Sequence, residues 1–463
     1  MIHWLIIVAV GVIIWFIPIP TGLKPNAWHL FAIFVATIVG FILQPIPMGA
    51  LSFLSISLVV LLKVATLSDM LVNFGSSTVW LVVSAFFLAR GFIKTGLARR
   101  ISLLFIKAIG HSTLRLGYCL AFSDLIFGPA MPSITARGGG ILFPIIKGLC
   151  SVFDSEPGPT ARRVGAYLFQ VEHHATCIVS AMFITAMGSN PLVVDLAAKT
   201  ANVNLTWSGW ATAAIVPGLI ALLAVPFILY KIFPPEIKDS PEAPQMAQQE
   251  LQKMGPMSKP EKIQLGVFIG SLLLWTTSMF TNIDATTVAL LAVSVLLATS
   301  VLTWKDCLDD NGAWDTLVWL GTLMSLAGLL VKLGVVAWVA KLVGSAIGGI
   351  SWVPTLAIML LIYLYSHYAF ASLTAHITAL YAPLLAIAVI AGAPVQLSAL
   401  VLGFFSSLCG SLTHYSSGPA PILFGAGYVD QPTWWKLGFI ISVINLVIWL
   451  GTGSIWWKFV GLW

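Results

Sequence analysis

Long apolar stretches, separated by short polar punctuation, run along the whole chain. A bilayer is crossed by about 17–25 apolar residues. Stretches of that length lie near 4–20, 27–45, 48–66, 78–95, 163–187, 208–234, 263–281, 284–303, 314–332, 397–416 and 434–460. The pattern predicts an all-α polytopic membrane protein with eleven transmembrane helices. Two further apolar regions, about 115–150 and 352–395, are each broken midway by Pro, Ser, Thr and a basic side chain. Backbone interrupted inside lipid must be buried in protein or line a cavity. Both regions are therefore expected to be re-entrant helical hairpins with polar tips at mid-membrane; a pair of kinked full spans each is the alternative.

Composition agrees. Of 463 residues, 59% are hydrophobic and 9% charged, against about 25% charged in soluble proteins. The mean hydropathy is +0.97. So few charges cannot coat a soluble globule, which excludes a soluble enzyme, a nucleic-acid binder and a disordered protein; the main partner is the lipid bilayer. The net charge of +6 fits loops facing an anionic leaflet. Cys119, Cys150, Cys177, Cys307 and Cys409 are scattered without a CxxC pair, so neither a zinc site nor a disulfide framework is implied. Adjacent His173 and His174 lack a carboxylate at metal-ligand spacing. No metal or cofactor is expected.

Trp4–Pro20 follows the first three residues without a basic leader or a small-residue cleavage site, so it is expected to be a retained helix. The one long hydrophilic stretch, Lys238–Lys262, reads as a linker between halves. Basic residues cluster there, at Arg90–Arg115 and at Arg162–Arg163. Placing all three groups on the cytoplasmic side satisfies the positive-inside rule and puts the N-terminus inside, in a cell membrane expected to be the bacterial plasma membrane.

The chain also repeats itself. Pro132-Ser133-Ile134-Thr135-Ala136-Arg137 returns as Ala371-Ser372-Leu373-Thr374-Ala375-His376, offset by 239. Pro144 and Pro383, and Val79-Trp80-Leu81 and Val318-Trp319-Leu320, share that offset; Lys94-Thr95-Gly96 and Lys332-Leu333-Gly334 differ by 238. Gly188-Ser189-Asn190-Pro191 has a looser counterpart in Gly418-Pro419-Ala420-Pro421. An odd number of crossings separates the copies, so the repeat is expected to have inverted topology, as in secondary transporters.

Charge at the bilayer centre costs at least ~2.5–3.5 kcal/mol, so ionisable groups there are functional candidates. Arg137 and His376 stand at equivalent places in the two tips. Ser133, Thr135, Ser372 and Thr374 offer hydroxyls, and helices restarting after each tip add free N–H groups. A second polar pair breaks the fifth span at Thr185, Gly188, Ser189, Asn190 and Pro191, and the tenth at Thr413–Pro419, with Thr413, Ser416, Ser417 and Gly418 as the candidates. These donors favour an anion. Asp124, Glu172, His173, His174 and His367 are expected to pair with one another or to line the cavity entrance.

Ser-x-Thr at both tips, Gly-Ser-Asn-Pro in the fifth span and Leu-Thr-His-Tyr-Ser-Ser-Gly-Pro-Ala-Pro near the end resemble the divalent anion:sodium symporter family. The closing segment, from Gly427-Tyr428 through Trp434-Trp435-Lys436 to Trp456-Trp457, is similar to its citrate/succinate and 2-oxoglutarate/malate exchanger branch. The resemblance implies a homodimer with a scaffold and an elevator-type transport part. It divides the chain into scaffold helices at 1–111, a transport part at 112–234, a cytoplasmic linker at 235–262, scaffold helices at 263–350 and a second transport part at 351–463. It implies substrate contact at Ser133, Thr135, Ser372 and Thr374. Sodium-coupled members carry Ser-Asn-Thr at both tips; here the middle positions are Ile134 and Leu373, which cannot ligate sodium.

The expected function is sodium-independent exchange of di- or tricarboxylate anions, with Arg137, and His376 if protonated, as a fixed charge in place of sodium. A sodium- or proton-coupled dicarboxylate symporter is the alternative. An anion channel, or a membrane-embedded enzyme using His173, His174 or Glu172, stands behind it.

Overall fold

Apolar runs in lipid can satisfy their backbone only within a helix or a closed barrel, and the regular elements among the described residues are helices. The computed structural model describes residues 2–346 and 351–463; the expected domain boundary at 350 lies outside the described residues. Each of the eleven apolar stretches carries a helix, from Ile2–Phe16 to Gln431–Phe459. By length and composition, seven of the described helices are long and apolar enough to cross a membrane. Large apolar side chains such as Phe16, Leu61, Phe280 and Phe459 are exposed, as a lipid-facing surface requires.

The repeat is visible in the helix bounds. Thr113–Phe127 and Trp352–Ser366 are the leading arms of the two interrupted regions, and their bounds differ by the 239 residues of the sequence repeat. Each arm ends in a short 3-10 turn, Gly128–Ala130 and His367–Ala369, before the chain restarts. Upstream, Ser77–Thr95 stops at Gly96 with φ +77°, and Asn311–Lys332 is followed by Gly334 with φ +83°. Those left-handed turns favour glycine. Each redirects the chain into a second helix, Leu97–Ile109 and Val335–Ala346.

The hydrophilic link is more ordered than its composition predicts. Glu242–Met254, a run of good helix formers closed by Gly255 at φ +67°, folds as a helix. It is pinned to Leu97–Ile109 by Arg99–Glu250 at 2.7 Å. Close by, Arg100 bonds Glu261 at 2.6 Å and the Gly255 carbonyl at 2.9 Å. Lys94 meets Asp306 at 2.6 Å; that lysine and Thr303 hold the Asp306 carboxyl well below the usual carboxylate range.

At the centre lies Gly165–Met182, buried along its whole length although it carries Gln170, Glu172, His173 and His174. The first interrupted region and the helix Val395–Leu408 pack around it, and its own interruption follows at once.

Candidate functional site

At the first tip the chain leaves Gly128–Ala130, runs extended through Met131, and restarts as a wide π-helical turn over Thr135–Leu142. Gly138-Gly139-Gly140 lowers the local helix preference, and Pro144 leaves the Gly140 carbonyl without its usual partner. Ser133 caps the restart, its hydroxyl accepting from the Ala136 N–H at 3.2 Å. Arg137 follows, fully buried. Its Nε donates to Asp124 Oδ1 at 2.7 Å, and Nη1 to the Met131 carbonyl at 2.6 Å and to the Ala186 carbonyl. Nη2 donates to Ser180 Oγ at 3.0 Å and reaches Thr176. The fixed charge expected at this tip is not a free one: Arg137 is ion-paired with Asp124, and all three of its nitrogens are engaged by the protein. Breaking such a pair by removing one partner costs about 3–5 kcal/mol.

The second tip repeats the backbone device with other chemistry. Ser372 caps Leu373–Ile390 by accepting from the Ala375 N–H at 3.3 Å. His376, in the place of Arg137, is buried against aromatic rings. It stacks on Tyr363 with centroids 4.4 Å apart, and lies 5.0 Å from Phe370 and 4.8 Å from His367. Its Nε2 meets Ser366 Oγ at 3.0 Å. No carboxylate is among these contacts.

The two interrupted spans close in on the tips. Gly165–Met182 ends in an extended Phe183, a short turn and a new helix at Asn190. Asn190 holds this break: its amide donates to the Ser180 and Phe183 carbonyls at 2.7 and 2.9 Å and accepts from Ser407 at 3.2 Å. The second break starts at Cys409, four residues before the expected Thr413, because Val395–Leu408 gives way to a 3-10 turn at Cys409–Ser411. Two histidines brace it. His173 Nε2 meets the Ser411 carbonyl at 3.2 Å, and His367 Nε2 the Ser416 carbonyl at 2.8 Å. Ser416 folds back on the Thr413 carbonyl at 2.8 Å.

The four interruptions touch. The Gly188 N–H donates to the Pro132 carbonyl at 3.0 Å, joining the first break to the first tip. Thr135 Oγ1 fills the space a Cβ on Gly418 would need, joining that tip to the second break. His376 Nδ1 lies 3.8 Å from Cys409 Sγ, joining the second tip to the same break.

Within this cluster the twelve candidates divide. Ser133, Thr135 and Ser372 are half-buried and Gly418 is exposed. Arg137, Asn190, Ser416 and His376 are buried and committed to protein partners. Ser189, Thr374, Thr413 and Ser417 are buried just beneath the tips, and the hydroxyls of Thr413 and Ser417 have no hydrogen-bond partner. Asp124, Cys409 and the carbonyls of Met131 and Ala186 belong to the cluster without having been candidates. Asp124 had one signal, being the only acid in its interrupted region, about 115–150. Glu172 also belongs here: both its oxygens are buried without a partner, beside Gly138.

The whole chain, residues 1–463, matches the family described as the sodium:sulfate symporter transmembrane region. The chain belongs to this family. Among its relatives, the putative malate transporter YflS of Bacillus subtilis is 51% identical over 99% of this chain and 96% of its own. The chloroplastic dicarboxylate transporter 1 of Arabidopsis thaliana is 47% identical over 98% of this chain and 82% of its own. The L-tartrate/succinate antiporter of Shigella boydii is 35% identical over 97% and 96%. A solved structure, the Alcanivorax borkumensis YdaH transporter, superposes over 99% of this chain and 97% of its own with a TM-score of 0.56 at 12% identity, a likeness of fold. The family member described here is a multi-pass membrane transporter, not an enzyme.

Proposed function

We propose that this transporter carries dicarboxylates and exchanges them without sodium. The observation that carries the reading is the Arg137 guanidinium, whose Nη1 lies between the Met131 carbonyl of the first tip and the Ala186 carbonyl of the first break. Carbonyls converging from two interrupted segments are what a bound cation would otherwise satisfy. Here a tethered cation does so, its charge balanced by Asp124. The side chains of Ile134 and Leu373, the middle positions of the two tips, offer no oxygen ligand. Malate, dicarboxylate and tartrate/succinate transport by the relatives supports the substrate class.

Ser133, Thr135, Ser372 and Gly418 form the reachable face of the site, with Ser189, Thr374, Thr413 and Ser417 behind it. Helices restarting at Thr135, Asn190 and Leu373 turn N–H groups and positive dipole ends toward the same cluster. Coupling rests on these donors rather than on a free arginine. An empty site carries them, unsatisfied, through a low-dielectric barrier at high cost. A bound dicarboxylate supplies their acceptors, so the loaded carrier crosses and the empty one stays.

The wider architecture follows the same reading: eleven transmembrane spans, two re-entrant hairpins, an inverted repeat, a homodimer, and an elevator movement of the hairpin parts against the scaffold, with the N-terminus cytoplasmic. Proteoliposomes preloaded with malate or succinate are expected to take up labelled dicarboxylate, and empty ones are not. Net uptake into empty vesicles driven by a cation gradient contradicts exchange. Competition by citrate, tartrate, malate and 2-oxoglutarate against one label ranks the substrates.

A further inference from the structure

No ligand spacing along the sequence points to a metal, yet the fold gathers three ligand atoms. A nitrogen of His367, a nitrogen of His376 and the sulfur of Cys409 lie within 4.8 Å of one another, all buried. They come from three segments: the turn ending the leading arm, the tip helix, and the start of the broken span.

The surrounding hydrogen bonds fix which nitrogens are free. The Ser416 carbonyl can only accept, so His367 Nε2 carries the proton in their 2.8 Å contact, and Nδ1 keeps its lone pair. That Nδ1 is buried without a hydrogen-bond partner. Ser366 Oγ gives its proton to the Tyr363 carbonyl at 3.0 Å, so it accepts from His376 Nε2. His376 Nδ1 then also keeps its lone pair and faces Cys409 Sγ at 3.8 Å. His376 thus turns a bare nitrogen toward the thiol, His367 Nδ1 is likewise bare, and the other nitrogen of each is oriented by a carbonyl or a hydroxyl. This is the outer-shell arrangement of metal-bound histidine. The 3.8 Å separation is near the roughly 3.5 Å between nitrogen and sulfur ligands of one tetrahedral zinc.

We propose that His367, His376 and Cys409 bind a thiophilic divalent cation, Zn2+ foremost, and that the bound ion clamps the second tip to the broken span and slows transport. Two imidazoles and a thiolate select zinc over the hard cations Na+, Mg2+ and Ca2+. Coordination replaces the Cys409 S–H bond by an S–Zn bond, and the proton leaves to water with no change of oxidation state. A fourth position stays open for water.

The test uses the purified full-length protein in detergent. With Zn2+, one equivalent per chain is expected to survive gel filtration; with Co2+, a sulfur-to-metal charge-transfer band is expected. Cys409→Ser, close in size to the native residue, loses both, whereas Cys119→Ala keeps both. Ser366→Ala keeps the band but weakens zinc binding about tenfold, the low end of an outer-shell loss. In vesicles, Zn2+ slows dicarboxylate counterflow in the wild type and not in Cys409→Ser. Wild-type protein that retains no zinc and gives no band overturns the site, as does a band that survives Cys409→Ser. Because binding is read without transport, its failure is separable from failure of the exchange reading.

Discussion

The two tips share a backbone and differ in chemistry. Ser133 and Ser372 make the same capping bond, to Ala136 and Ala375, at 3.2 and 3.3 Å. Four residues past each cap, one copy places Arg137 in an ion pair with Asp124, and the other places His376 between Tyr363, Phe370 and His367. The repeat thus preserved what shapes the tip and let the residue behind it diverge. The first tip is held by charge and carbonyls, the second by ring packing.

Removing the charge from the first tip is expected to have the largest effect. Arg137→Ala leaves Asp124 buried and alone, at about 3–5 kcal/mol, read as a large fall in unfolding temperature in detergent and loss of exchange. The pair Asp124→Leu/Arg137→Met restores most of the stability, because an apolar replacement of a buried pair is often neutral. It does not restore exchange, since the Met131 and Ala186 carbonyls remain without a donor. Recovery of both would mean that the arginine serves packing alone.

Gly418→Ala comes next. Its Cβ would overlap Thr135 Oγ1, and overpacking of this kind costs about 1–3 kcal/mol. A roughly tenfold fall in exchange is expected, with thermal stability regained when Thr135→Ala is added. Undiminished exchange in Gly418→Ala would separate the first tip from the second break.

Ser133→Ala and Ser372→Ala test the shared device. Each loses a cap, about 1 kcal/mol, and the two are expected to weaken apparent substrate affinity by similar factors. Strongly unequal effects would break the symmetry of the site. The smallest change is expected for His376→Gln, which keeps a polar group toward Ser366: on the order of 1 kcal/mol of stability, with sodium independence unaltered.

The same contrast explains what was legible from sequence. Lipid forces helices, so apolar length located the elements, and the 239-residue offset located both tips. The interruptions declared themselves through Gly, Pro, Ser and Asn. The role proposed for Arg137 was not legible, because half of its acceptors are backbone carbonyls, which have no sequence signature, and Asp124 meets it only when the chain turns back at the interruption. The early start of the second break at Cys409 was hidden for a similar reason: Val395–Leu408 runs apolar into it. The helix Glu242–Met254 was masked by flanking prolines. His376 is enclosed by Tyr363 and Phe370, contacts that arise only from tertiary packing and leave no mark in the sequence.

In the proposed mechanism a tethered guanidinium does the work of an exchangeable cation. The most direct measurement is the initial rate of dicarboxylate counterflow in proteoliposomes, with sodium replaced on both sides by N-methylglucamine. An unchanged rate and an unchanged apparent affinity are expected. A rate that collapses without sodium and returns with it would contradict the account.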